Sequence, residues 1–376
     1  MELASGTRER FSAFYAGKTV LVTGHTGFKG AWLSLWLSRL GARVVGLSLP
    51  AAGDPSRALF QPKVAASLAI DTREREAVES AFREYKPEIV FHLAAQSLVG
   101  RSGEDPIGTF SVNVMGTAHV LNAACQTPET RVLVNVTSDK CYANPGPARP
   151  FCEDDPLGGK DPYSTSKACS ELVTSSWRQS LRRGVWPALA TARAGNVIGG
   201  GDWAPMRIMP DIVRALTSGQ AVSLRHPSAT RPWQHVLDPL YGYLLLARAL
   251  YEEPSRYEGP WNFGPDPSEV IEVRELVRRV HRHWGKGSWI EAAEPMGIAE
   301  SEMLALNSSK SERALGWRPA FGIGRAIDLT VDWYRRVIDH GEDPFRVTEE
   351  QIAALCVQYE GRSARASKRA KRQGTS

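Results

Sequence analysis

Lys18-Thr19-Val20-Leu21-Val22-Thr23-Gly24-His25-Thr26-Gly27-Phe28-Lys29-Gly30 reads as a short apolar strand running without a spacer into three glycines, and Ala31-Trp32-Leu33-Ser34-Leu35-Trp36-Leu37 continues it as a helix. Strand, glycine turn and helix in that order leave backbone N–H groups free at a helix N-terminus, where an anion is stabilised. The G-x-x-G-x-x-G spacing is one residue longer in its first gap than the common dinucleotide fingerprint. The physical need is the same: glycine permits the tight turn and lets a pyrophosphate approach the backbone. Gly24, Thr26, Gly27, Phe28, Lys29 and Gly30 are therefore the expected cofactor-binding residues of this loop.

Outward from the loop, the pattern repeats. Arg43 to Leu49 is a second strand, Ala69-Ile70-Asp71 the end of a third, Pro87 to Gln96 a fourth and Val132-Leu133-Val134-Asn135-Val136 a fifth, with helical segments between. Such alternation predicts an α/β fold, a doubly wound parallel sheet of Rossmann type with ligand at the C-terminal strand edges. Leu93, Ala94, Ala95 and Gln96 end the fourth strand among small residues that let a cofactor pass close by. Asp71 is placed to reach an adenine edge, with a turn-forming role as the alternative. The acid that would hold an adenosine ribose is missing from the second strand, which ends Ser48-Leu49-Pro50, so this position does not decide between NAD and NADP. His92 reads as a packed strand histidine. Ala188 to Arg193 is a sixth strand. Near residue 200 the alternation stops.

The predicted organisation is a dinucleotide-binding domain over 17–199 with a return segment at about 235–265. A smaller C-terminal α/β substrate lobe is built from 200–234 and 266–345, and 346–376 form an extension. Residues 1–16 read as a polar leader. The six bases between Arg362 and Arg372 turn a body of formal charge −1 into a chain of +5. That tail is expected to be a solvated, disordered end, with no nucleic-acid partner. An apolar content of 42% and a charged content of 23% suit a globular protein. The longest apolar runs, such as Tyr243 to Ala247, fall far short of the ~20 residues that span a bilayer. Met1 to Arg10 lacks a secretory pattern, so a cytoplasmic protein without a membrane partner is expected. Five cysteines without C-x-x-C spacing argue against disulfides or zinc, and no metal site is expected, His281 and His283 being splayed apart on a helix.

The chemistry-bearing stretch begins where the fifth strand ends, at Thr137-Ser138-Asp139-Lys140-Cys141-Tyr142. It resumes at Tyr163-Ser164-Thr165-Ser166-Lys167, which opens a long helix. Tyr163 and Lys167, four apart, share one helix face. An ammonium beside a phenol is expected to lower the tyrosine pKa from ~10, so that it can accept a proton from a sugar hydroxyl.

Together, Thr23 to Gly30, Leu93-Ala94-Ala95-Gln96, Tyr163 with Lys167, and Arg193 to Asn196 resemble the extended short-chain dehydrogenase/reductase family over about residues 17–345. Within that family the chain is similar to the sugar-nucleotide 4,6-dehydratases. Thr137 to Tyr142, Arg193 to Trp203 and Arg231-Pro232-Trp233-Gln234-His235-Val236 carry the likeness. Ser138-Asp139-Lys140 and Arg231-Pro232-Trp233 point to the branch acting on CDP-glucose. The resemblance implies NAD as cofactor and a nucleotide-sugar substrate. It assigns Tyr163 as base at the sugar 4-hydroxyl, assisted by Ser138, with Lys167 holding ribose and phenolate. Asp139 becomes the acid at the departing 6-hydroxyl. Lys140 stands where the dTDP enzymes carry a glutamate base. A lysine with pKa ~10.4 is a poor base near neutral pH, so Lys140 is a catalytic candidate whose part, base or cation beside the enolate, stays open. Asn196, Arg231, Trp233 and Gln234 are the substrate-binding candidates, Arg231 for the diphosphate; Trp233 fits an aromatic core role equally well. A homodimer or homotetramer through the helices near 113–126 and 163–181 is also implied.

Overall fold

The computed structural model describes residues 6–49, 64–143, 149–180, 187–291 and 304–373. Its centre is a seven-stranded sheet: β1 (Thr19–Thr23), β2 (Arg43–Ser48), β3 (Ala66–Ala69), β4 (Ile89–His92), β5 (Val132–Val136), β6 (Ala188–Ala194) and β7 (Gly259–Phe263). The spatial order is β7-β6-β5-β4-β1-β2-β3, and every neighbouring pair is parallel. Strand order reverses between β1 and β4, which opens a crevice beyond their C-terminal ends.

Both faces of the sheet are covered, which is why its strands read as nearly continuous apolar runs. Successive residues alternate between two cores. Val20 and Val22, Ile89 and Phe91, Val132 and Val134 enter one core, while Leu21, Val90 and Leu133 enter the other. The first core is filled by helices α1 (Gly6–Tyr15), α2 (Phe28–Arg39) and α3 (Leu237–Glu252). The second is filled by Arg75–Tyr85 and Gly116–Cys125, with Val173 and Trp177 of the helix Pro162–Ser180 packed against it.

The chain beyond β6 builds the wall that faces the crevice. Helix Ile208–Ser218 leads to the strand Val222–Leu224, which pairs parallel with Trp289–Glu291. Thr230–Arg231 pairs antiparallel with Ile271–Glu272. Segment 235–265 supplies α3 and β7 to the main sheet.

Two expectations are corrected. The stretch read as a polar leader holds the helix Gly6–Tyr15 and docks through apolar side chains: Phe11 and Tyr15 lie one turn apart and are buried, and the Tyr15 hydroxyl donates to the Leu244 carbonyl at 2.8 Å. The C-terminal extension is the helix Pro344–Gln373. Its first turns dock because Val347, Ile352, Leu355, Cys356 and Tyr359 recur at helical spacing and are buried. Among the described residues no helix is long and apolar enough to cross a membrane, and no cluster has the makings of a metal site. All five cysteines are free thiols.

Candidate active site

At the crevice, the C-terminal ends of β1, β4, β5 and β6 meet the wall built by the chain beyond β6 around a cavity of about 620 Å³, a size typical of small-molecule sites. The glycine loop forms one wall. Gly24 adopts φ +71°, and a Cβ on Gly30 would lie 2.0 Å from the Gly24 carbonyl oxygen. Only glycine lets the loop fold back on the start of α2, and this leaves open the backbone cradle that a pyrophosphate requires. The loop is braced by Thr23, whose Oγ1 accepts from the backbone N–H groups of Leu93 and Ala94 at 3.1 and 3.0 Å. His92 is locked between Thr23 and Thr117, and burial pulls its pKa down to about 3.

Gly24, Thr26, Gly27, Phe28, Lys29, Gly30, Asp71, Leu93, Ala94 and Ala95 all line this cavity. Gln96 does not. Its amide closes a loop instead, bonding the Leu98 carbonyl, the Leu98 N–H and Thr109. Asp71 pairs with Arg73 at 2.5 Å, and that bond holds its carboxyl below the usual range.

Ser138, Asp139, Lys140, Tyr163 and Lys167 line the same cavity from the opposite side. Ser138 and Asp139 come one residue beyond β5, at the N-cap and first residue of the short helix Asp139–Cys141, and the Ser138 hydroxyl donates to Asp139 at 3.0 Å. Gly195 makes room for the carboxyl, because a Cβ there would sit 2.8 Å from Asp139 Oδ2. Burial raises the Asp139 pKa, against the pull of Lys140, Ser138 and Lys29. Burial likewise lowers Lys167 to about 8, with Glu171 acting the other way. Lys29 falls to about 7 through burial and then through the nearby charge of Arg207.

The expectation of a lowered Tyr163 pKa is overturned. The phenol is pushed up to about 12, because burial outweighs the Ser138 hydrogen bond, and Asp139 and Asp161 add to the rise. Arg207 is among the groups acting on it and favours its ionisation. Same-face helix spacing sets the direction of two side chains, not the distance between their ends.

Asn196, Arg231 and Trp233 also line the cavity, and Trp233 is at the same time part of the core. Gln234 does not reach it: it is buried, and its amide donates to the Phe263 carbonyl at 2.8 Å. Alternation along an extended segment turns Trp233 and Gln234 to opposite sides. Arg207 and Glu171 were missed. Arg207 sits in a run with no motif of its own, and Glu171 lies on an ordinary helix.

Glu171 ties the site together. It accepts from Thr137, from Thr191 at 2.7 Å, and from Arg193 at 2.9 and 2.8 Å. Arg193 also bonds the Tyr142 hydroxyl at 2.7 Å. The pair therefore joins the strand end carrying Ser138 and Asp139 to the helix carrying Tyr163 and Lys167, with both partners 3% exposed. Arg193→Met is expected to cost about 3–5 kcal/mol, because it leaves a buried carboxylate uncompensated. Urea unfolding monitored by tryptophan fluorescence checks this.

Comparison with known proteins decides the family. The model of the NAD dependent epimerase/dehydratase family matches residues 20–263. The chain belongs to this family. Among other epimerase/dehydratase proteins, it is 44% identical over 352 residues to a CDP-glucose 4,6-dehydratase of Salmonella typhimurium, covering 90% of this chain and 96% of that protein. A dTDP-glucose 4,6-dehydratase of Xanthomonas campestris is 28% identical, covering 84% of this chain and 93% of that one. A family structure, the Thermus thermophilus UDP-glucose 4-epimerase in complex with NAD, superposes with a TM-score of 0.74 at 30% identity, covering 85% of this chain and all of the other. The Streptomyces venezuelae dTDP-glucose 4,6-dehydratase DesIV, at 24% identity and a TM-score of 0.73 over 87% of this chain and 99% of that one, shares the epimerase/dehydratase fold.

Proposed function

We propose that this chain is a sugar-nucleotide 4,6-dehydratase that converts CDP-glucose to CDP-4-keto-6-deoxyglucose with loss of water and NAD as resident cofactor. The observation that carries the reading is that Ser138, Asp139, Tyr163 and Lys167 line the same cavity as the glycine loop. The 44% likeness to a CDP-glucose 4,6-dehydratase supports the substrate.

A bound NAD would supply the hydride acceptor for C4 of the hexose and the donor for C6. The glycine loop would hold the pyrophosphate at the N-terminus of α2, with Lys29 beside it. Leu93, Ala94 and Ala95 would flank its ribose, Asp71 would meet the adenine side, and Lys167 would hold the nicotinamide ribose. Tyr163 takes the proton of the 4-hydroxyl on Oη, and the Ser138 hydroxyl bonds the same oxygen. The 4-ketone then acidifies the hydrogen on C5, which passes as a proton to solvent water in the cavity and comes back to C5 when the hydride returns to C6. Asp139 delivers a proton to the departing 6-hydroxyl, a task its raised pKa suits. Lys140 sets a cation beside the developing enolate. Arg231 offers a guanidinium fork to the diphosphate, and Asn196 and Trp233 line the sugar path.

Incubation of the NAD-loaded protein with CDP-, dTDP- and UDP-glucose tests this. A 4-keto-6-deoxy product from CDP-glucose, visible by its absorbance in strong alkali, is expected. A product from another nucleotide only, or a C4 epimer that retains its water, overturns the reading.

The protein is further read as a homodimer. Ile107, Met115 and Leu172 are large apolar side chains left 79%, 52% and 57% exposed on adjoining helical segments. Leu172→Glu is expected to halve the mass seen by light scattering; an unchanged mass removes this face from the interface.

A further inference from the structure

Asp139 and Lys140 stand on one short turn, Asp139–Cys141, that is poorly held from within. Its closing bonds are long: Cys141 N–H to the Ser138 carbonyl at 3.3 Å, and Tyr142 N–H to the Asp139 carbonyl at 3.5 Å. Bonds of that length are weak, and a single turn of this tight helix does not keep its own shape. The turn is therefore held from its two ends. Before it, Thr137 donates its N–H to the Ala192 carbonyl at 3.0 Å and its hydroxyl to Glu171. After it comes Tyr142, which is 1% exposed and stands behind the cavity lining. Its hydroxyl donates to Asn262 Oδ1 at 2.8 Å and accepts from an Arg193 Nη at 2.7 Å. Arg193 on β6 and Asn262 on β7 are register partners on adjacent strands, so their side chains leave one face of the sheet side by side. The Tyr142 ring stacks on Phe151 with centroids 4.9 Å apart. The backbone around it pairs with the loop at 156–158, Gly158 N–H to the Cys141 carbonyl at 2.9 Å and Ala143 N–H to the Pro156 carbonyl at 2.8 Å.

We propose that Tyr142 is a positioning residue for Asp139 and Lys140, its hydroxyl anchoring the far end of their turn to β6 and β7. The inference rests on the functional reading above for the use made of those two residues. The loop at 156–158 that pairs with the turn is itself a connection, whereas Arg193 and Asn262 are fixed in the sheet. The hydroxyl is thus the turn's direct tie to the rigid part of the fold at that end. Both of its partners are engaged elsewhere and cannot follow a turn that shifts. Arg193 also bonds Glu171 at 2.9 Å and the Glu153 carbonyl at 2.9 Å. Asn262 donates its amide to the Phe151 carbonyl at 2.9 Å and its N–H to Glu153 Oε1 at 3.0 Å. Burial pushes the Tyr142 phenol upward, so it stays a neutral donor. Tyr163 and Lys167 stand on the long helix Pro162–Ser180, which does not depend on the turn for its shape. Ser138 lies at the end of the turn that Thr137 holds. Loosening the Tyr142 end should therefore disturb the elimination, which uses Asp139 and Lys140, more than the first hydride transfer.

Tyr142→Phe keeps the ring on Phe151 and removes only the hydroxyl. In single turnover of the NAD-loaded protein with CDP-glucose, product formation is expected to slow about tenfold relative to NAD reduction, short of the ~10²-fold that a 1 Å misplacement can cost. NADH absorbance and rapid quench give the two rates. A tyrosine that merely stabilised the fold would lower the melting temperature and leave their ratio where it was, so an unmoved ratio overturns the proposal. Hydrogen exchange of the NAD-bound protein supplies a reading that needs no turnover. Peptides spanning Asp139 to Tyr142 should exchange faster in Tyr142→Phe, while those spanning Tyr163 to Glu171 should not; unchanged exchange at the turn overturns the proposal equally. If Tyr142→Phe does not fold, Asn262→Ser, which leaves the hydroxyl on Arg193 alone, is expected to show a smaller fall in the same ratio, and an unmoved ratio there has the same consequence. A wild type that makes no product from CDP-glucose sinks the functional reading, and the exchange measurement still decides whether Tyr142 holds the turn.

Discussion

Tyr163→Phe is expected to abolish NAD reduction by bound CDP-glucose, lowering the rate of that half-reaction by about 10²–10⁴. The phenol is buried at 8% exposure and its hydroxyl meets Ser138. Phenylalanine keeps the ring and its packing and removes only the oxygen that accepts the proton. Folding and NAD content should therefore be unchanged while the NADH absorbance at single turnover disappears. The pH dependence has a fixed sign. The phenol works as its anion, and with burial holding its pKa at about 12 the anion is the minor form near neutrality. In the wild type the half-reaction must therefore speed up as pH rises towards that value. A variant that still reduces NAD rapidly would remove the tyrosine from the chemistry.

Asp139→Asn separates the two halves of the reaction. The amide can occupy the space that Gly195 leaves open and can still meet the Ser138 hydroxyl, but it has no proton to give to a leaving hydroxyl. Dehydration is expected to fall by about 10²–10⁴. NAD reduction should persist, because the amide, like the protonated acid it replaces, carries no charge against ionisation of Tyr163. Rapid quench for the 4-keto-6-deoxy product, set beside NADH absorbance, measures both. Equal loss of both would mean that Asp139 acts on the first step or on folding, not as the acid of the second.

Much of the site was legible before any coordinates. Ser138 and Asp139 could be placed because an apolar run must end at a sheet edge, and Tyr163 and Lys167 because helix periodicity puts residues four apart on one side. The errors fall where local pattern gives no information on three-dimensional surroundings. Gln96 and Gln234 stand inside the motifs, yet each spends its amide on a backbone carbonyl of its own fold. Phe11 and Tyr15 look like part of a polar leader until α3 supplies the surface that covers them.

The order of apolar strands, glycine turn and amphipathic helices determined by itself the parallel sheet and the edge on which chemistry would occur, since periodicity and turn geometry are local properties of a chain. Which charges face the phenol was decided only by the tertiary structure. Arg207 lies 44 residues from Tyr163 in the sequence, and its bond to Ser97 depends on how the chain beyond β6 packs against the loop after β4. Electrostatic influence follows distance and burial in space, and neither is written in the spacing of residues along the chain.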